Sequence, residues 1–307
     1  MDEGGGIARR AGRVLVLLGA ALLLARNVLW YAQTELPAFQ EVLADVLQRG
    51  PEGALSGEVG RLETYRLLGD VLIDAYLLCA TVLAPLLLRG GRARALGPLA
   101  AHLLGFFLSI IRRFALTKPR GLLVALGVAA LVAGAALLAG RRPRGGSAPA
   151  RYGRAAGDVA TLGLTFASGV YLYTACCVVA NEFYASGMAV VAGQVGHAVD
   201  RGWVALRLAH FVAASALSLL VGVERPGSGG EAGRRGRVAL RAAGCAALAT
   251  LMLRGIAEHY RYYILLPRLQ QVTICLCALC LVGEALERVG SRLDGEASRA
   301  APEGEAG

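Results

Sequence analysis

An all-α, polytopic transmembrane helix bundle of about eight spans is the fold class that the sequence predicts, and three observations carry it. Hydrophobic residues make up 56% of the 307 and the mean hydropathy is +0.54, whereas a soluble domain sits near 45–50% apolar. The excess is gathered into blocks of roughly 16–22 residues, the run needed to cross ~30 Å of hydrocarbon. Arginines stand between the blocks, where the positive-inside rule puts them.

The formal net charge is +10, and Lys118 is the single lysine among 32 basic residues. With the abundant Ala and Gly, this usage has the signature of a GC-rich genome. The arginines punctuate apolar blocks rather than line one amphipathic face, so a nucleic-acid partner is not expected. All seven cysteines (Cys79, Cys176, Cys177, Cys245, Cys275, Cys277 and Cys280) lie inside apolar blocks. There they read as small hydrophobes and not as a disulfide framework.

Residues 1–31 open with Arg9, Arg10 and Arg13, followed by the apolar run Val14–Ala25. Apolarity continues past Arg26 to Trp30 and Tyr31, which suit an interfacial belt, so this block reads as an uncleaved signal-anchor span. Residues 32–66 read as an acidic extramembrane loop. Within it Leu36, Phe39, Val42, Leu43, Val46 and Leu47 recur at helical spacing, between Pro37 and Gly50-Pro51. That predicts an amphipathic helix over 35–48.

A first helical block, residues 67–140, holds the apolar runs Leu67–Leu88, Leu96–Ile111 and Gly121–Gly140. A linker rich in Arg, Gly and Pro follows at 141–154. A second helical block, residues 155–286, holds Val159–Ala180, Trp203–Val221, Val238–Leu253 and Leu269–Ala285. Residues 287–307 read as a polar, disordered tail. Leu96–Ile111 is short, contains Pro98, His102 and Gly105, and ends in Arg112-Arg113. If it is re-entrant, the count falls to seven.

Ionisable groups inside a span are costly and are functional candidates by default. Asp70 and Asp74 are four apart and share a helix face; they read as an ion, proton or substrate contact or, alternatively, as a polar stripe packed against another helix and facing Arg207. Arg207 and His210 share a face of their own. Glu182 and Gln194 lie in the irregular, Gly-rich 181–200 region, where a broken helix would line a cavity. Glu258–Tyr263 form an aromatic and charged cluster suited to the membrane boundary.

One constellation bears on catalysis: His102, Ser168 in Phe166-Ala167-Ser168-Gly169, and His210. Its order is superficially similar to that of rhomboid-type intramembrane serine proteases, and the resemblance implies Ser168 as nucleophile with His210 as base. Two features depart from that pattern. Phe166 stands where the family has glycine, and no glycine follows His210. The chain is assigned to no family on this basis. Cys275, Cys277 and Cys280 scatter around their helix, and neither a metal site nor a cofactor is expected.

Small-residue pairs, Ala130/Gly134 and Gly153/Gly157, predict close helix approach and allow homo-oligomers. Spans so poor in polar groups point to an integral, multi-pass protein with an interaction, assembly or trafficking role. Its partners would be the lipid bilayer and other membrane proteins, in an endomembrane or the plasma membrane. A small-solute transporter or channel built on Asp74, Arg207 and the 181–200 region is the alternative, and an intramembrane enzyme a more distant one.

Overall fold

The computed structural model describes residues 3–30, 58–111, 119–139, 146–183, 201–223, 231–258 and 266–300. Among them no strand occurs, and eight α-helices follow in order: α1 Glu3–Trp30, α2 Glu58–Arg89, α3 Leu96–Ile111, α4 Pro119–Ala139, α5 Ala148–Cys177, α6 Arg201–Val223, α7 Glu231–Ala257 and α8 Leu266–Ala300. A 3₁₀ turn, Ala93–Ala95, leads into α3, and a π-helical turn, Val178–Phe183, prolongs α5.

Seven of these helices are long and apolar enough to cross a membrane. The chain is therefore an all-α, multi-pass integral membrane protein. Its outward faces agree. On α1, Val14, Leu17, Leu18 and Val28 are exposed while Val16 and Leu23 are fully buried. A contiguous apolar exterior of this kind is tolerable only against lipid. Three threonine hydroxyls within the spans are satisfied by their own helix. Thr165, Thr174 and Thr273 each donate to the carbonyl four residues back at 2.8 Å, so they add no unmet donor in hydrocarbon.

The exception in length is α3. Its 16 residues reach ~24 Å at 1.5 Å each, short of ~30 Å of hydrocarbon. It is buried rather than lipid-facing along most of its length: His102, Leu103, Phe106 and Phe107 are all at or below 6% exposure.

Several helices outrun the apolar blocks that announce them. α2 begins at Glu58, inside the expected loop. α5 begins at Ala148, so the expected linker 141–154 is helical from there, with Pro149 in the first turn where its missing N–H costs nothing. The tail expected to be disordered from 287 is also corrected, because α8 continues to Ala300. Two contacts hold the added turns. Ser147 N donates to Asp294 Oδ1 at 2.8 Å, and Ser147 Oγ donates to the Gly290 carbonyl at 3.1 Å. The amphipathic 35–48 segment lies outside the described residues.

The chain divides into two compact units, Met1–Ala139 with Ser168–Ser215, and Gly140–Ala167 with Ala216–Gly307. In the first, α1 packs on α2 and α4. Its core joins Val16 and Leu23 to Ala84, Leu103, Val128 and Leu131. The α1–α4 approach is set by glycine. A Cβ on Gly19 would stand 2.6 Å from the Gly127 carbonyl oxygen, and one on Gly134 would stand 2.8 Å from that of Gly12. Gly12 faces Gly134 and Gly19 faces Gly127, so the two helices run antiparallel with a glycine every seventh residue on each. In the second unit, Gly153 and Gly283 make the same kind of contact. A Cβ on Gly153 would stand 2.6 Å from the Gly283 carbonyl oxygen. Of the small-residue pairs marked in the sequence, Gly134 and Gly153 do seat a neighbouring backbone.

Gly19→Leu or Gly127→Leu forces α1 from α4 and is expected to cost about 1–3 kcal/mol. Gly97→Ala, where an added Cβ meets nothing within 4 Å, is the matched control. Thermal unfolding in mixed micelles, followed by circular dichroism, ranks the three.

Candidate functional site

Asp74 is the deeper of the two α2 carboxylates, and its partner is Arg26 near the end of α1. Arg26 Nη1 donates to Asp74 Oδ1, and the same nitrogen donates to Asn27 Oδ1 at 3.1 Å. The two side chains are 14% and 16% exposed. Each charge is answered by its opposite on a neighbouring helix, the arrangement expected of ions carried within spans. The side chain of Asp70 lies outside the described residues.

Two residues beyond Asp74, Tyr76 opens an aromatic cluster. Its ring centroid stands 4.2 Å from that of Phe106 and 5.5 Å from that of His102. Phe106 meets Tyr173 edge-on at 5.5 Å. Among the described residues, the buried Tyr76 hydroxyl finds no hydrogen-bond partner. Leu77, Phe106, Tyr173 and Cys177 form one buried cluster here. α3 and α5 touch closely enough that a Cβ on Gly169 would collide with the His102 carbonyl oxygen. The π-helical turn packs on α2. Turns of this kind recur at functional sites. Glu182 lies in it with its side chain outside the described residues, as does the whole of Gln194.

Arg207 does not meet Asp74. Its guanidinium lies over the Trp203 ring, 3.8 Å from the centroid, a cation–π contact one turn back on α6. The expected Asp74–Arg207 pairing is thus replaced by Asp74–Arg26. The signal for Arg26 was present in the sequence, as an arginine set within an apolar run.

Ser168 and His210 are both buried, but the serine is engaged elsewhere. Ser168 Oγ donates to the Ser215 carbonyl at 2.8 Å, and Ser215 Oγ donates to the Ser168 carbonyl at 3.0 Å. This reciprocal clasp joins α5 to α6. The His210 ring packs edge-on to Phe211 at 5.3 Å. The geometry is therefore that of a helix clamp and not that of a nucleophile with its base. Ser215 was missed because a Ser in an apolar helix carries no motif.

The second unit holds a polar seam that the sequence reading also missed. On α8, Gln270, Thr273, Cys277, Cys280 and Glu284 are all buried, at alternating spacings of three and four, which is one helix face. Only Cys275 leaves that face, and it is exposed. The cysteines of α8 are therefore two on one face and one off it, not scattered. Glu284 Oε1 stands 3.5 Å from Arg288 Nη2, an ion-pair contact without a hydrogen bond. On α7, Arg254 pairs with Glu258 at 2.7 Å. The rest of the 258–263 cluster lies outside the described residues. Among the described residues, no group of three or more His, Cys, Asp or Glu side chains is placed to hold a metal ion. No family model, curated protein or solved structure matches the chain.

Two outcomes follow from this geometry. Arg26→Gln or Asp74→Asn alone leaves an uncompensated charge and is expected to cost on the order of 3 kcal/mol. The double neutral variant should recover most of that loss in a double-mutant cycle of unfolding midpoints. A fluorophosphonate probe is expected not to label Ser168, whose hydroxyl is held by Ser215. Labelling that disappears in Ser168→Ala would overturn the clamp reading.

Proposed function

We propose that this protein has an interaction or assembly role in its membrane, with its intramembrane polar groups spent on joining its own helices rather than on carrying a solute. The observation behind this is the Arg26–Asp74 ion pair. The carboxylate that a transporter would offer to an ion already has a cation, supplied by the adjoining helix. The Ser168–Ser215 clasp repeats the pattern with neutral groups, and glycine seams close the helices on one another. The partners this reading implies are the bilayer, other membrane proteins or a second copy of the chain. The contact would fall on exposed apolar faces and on the amphipathic face predicted over 35–48.

The transport alternative rests on the π-helical turn packed beside the helix that carries Asp74. Charge exchange separates the two readings. Arg26→Asp with Asp74→Arg keeps an ion pair but moves the carboxylate to another helix. In vesicles loaded with a pH-sensitive dye and a potassium gradient, wild type and exchanged protein should leak no faster than protein-free vesicles and should unfold at similar temperatures. Proton or cation flux in the wild type that vanishes in Asp74→Asn would reject the assembly role. Making Leu36, Phe39, Val42 and Leu43 polar should release co-purifying membrane proteins while leaving the helical content intact.

A further inference from the structure

A small polar latch joins the start of α5 to the far end of α8 within the second unit. Ser147 stands immediately before α5, and its carbonyl accepts from the Arg151 N–H at 3.1 Å. Its own N–H donates to Asp294 Oδ1 at 2.8 Å, and its hydroxyl donates to the Gly290 carbonyl at 3.1 Å. The fit is tight. A Cβ on Gly290 would stand 2.6 Å from Ala150 Cα, so the two backbones leave no room there for an added group. Gly146 has a φ of 108°, which glycine adopts at little steric cost. Charged groups gather around it: a Cβ at Gly146 would stand 3.0 Å from Arg154 Nη2 and 3.2 Å from Asp294 Oδ2.

The sequence ahead of this latch carries an independent signal. Ser147 closes the run Arg141-Arg142-Pro143-Arg144-Gly145-Gly146-Ser147, with arginine at the third and fifth positions before it. It is the single Ser or Thr of the chain with arginine at both; Thr64, Ser228 and Ser291 have arginine at the third alone. Charge placed at fixed offsets from a hydroxyl is how a protein kinase selects its acceptor, and guanidinium groups suit paired reading by carboxylates.

We propose that Ser147 is a phosphorylation site for an arginine-directed protein kinase, and that its phosphate opens the α5–α8 latch. Gly12 of α1 faces Gly134 of α4, so α4 ends level with Arg9 and Arg10 and leads directly into the arginine run. The positive-inside rule assigns that end to the cytosolic face, where ATP is. The latch contacts lie at the surface and are individually weak, so the kinase meets Ser147 in the open state. Ser147 Oγ attacks the γ-phosphorus of ATP. The O–P bond forms, the bond to the bridging oxygen breaks, ADP leaves with the electron pair, and the hydroxyl proton passes to the carboxylate base of the kinase. The product has no hydroxyl proton and carries about two negative charges. The Gly290 carbonyl loses its donor, and Asp294 faces a like charge. Phosphate and Asp294 then compete for the same N–H groups at the start of α5. The phosphate is bonded to that chain segment and stays, so Asp294 leaves. Arg154, carried on α5 itself, remains within reach to answer the phosphate. Residues 291–296 of α8 are exposed, so little besides the latch holds them.

The test uses the full chain in lipid nanodiscs, where both faces are accessible, with ATP and a purified arginine-directed serine/threonine kinase. Phosphopeptides are located by mass spectrometry, and amide hydrogen exchange is read over 287–300 before and after. The expected product carries phosphate at Ser147 and is absent in Ser147→Ala. Arg142→Ala with Arg144→Ala should slow its formation by about tenfold or more, the loss of charged contacts to the kinase. Exchange over 287–300 should rise about tenfold on phosphorylation while residues 270–284 keep their protection. Asp294→Ala should raise exchange over the same turns with no kinase present. A chain that takes no phosphate at Ser147, or takes it as fast without Arg142 and Arg144, overturns the site. Phosphate at Ser147 with exchange over 287–300 unchanged overturns the latch.

Discussion

A charge carried into hydrocarbon on one helix must be met by its opposite on another, and that constraint organises the first unit. Arg26 and Asp74 are 48 positions apart in sequence, yet neither is tolerable at depth without the other. Their pairing fixes the register of α1 on α2. The contact of α1 with α4 is fixed differently, by glycines that bring the two backbones together. One contact is electrostatic and cannot be replaced by mere apolarity. The other is van der Waals and cannot accept even a methyl group. α1 thus serves as a spine held by two forces that fail under different substitutions.

The distinction matters because lipid removes the usual driving force for helix association. Apolar side chains gain little by leaving lipid tails for each other, so specificity comes from close packing and from polar groups with nowhere else to go. The Ser168–Ser215 clasp and the buried α8 seam follow the same logic in weaker form. Each hydroxyl of the clasp donates to the other residue's backbone carbonyl. An isolated helix would leave such a group to back-bond on itself, as Thr165 does on Thr161. A cross-helix partner adds specificity at modest cost.

The fold class was legible because it depends on bulk apolarity, which a linear scan reads directly. The helix ends were not legible. Residues 58–66, 148–158 and 287–300 are helical but polar, and hydropathy falls silent where helices leave the membrane. What prolongs them is nonlocal or fine-grained: Asp294 reaching Ser147, and Glu284 beside Arg288. Candidate residues fared in the same way. Asp74 was identifiable by its cost, but its partner was not, because an arginine near a span end looks like a boundary marker. Ser168 drew attention through order along the chain, and the structure shows that proximity of the right atoms is a separate matter.

The α8 seam shows the same limit from the other side. Read along the sequence, Cys275, Cys277 and Cys280 resemble incidental small hydrophobes, and only helical phase separates the exposed one from the buried two. The same phase gathers Gln270, Thr273 and Glu284 onto the buried face, where a hydropathy scan sees only interruptions of an apolar run. Burying that polar face against protein sets the rotation of α8, because the same groups turned outward would stand in hydrocarbon.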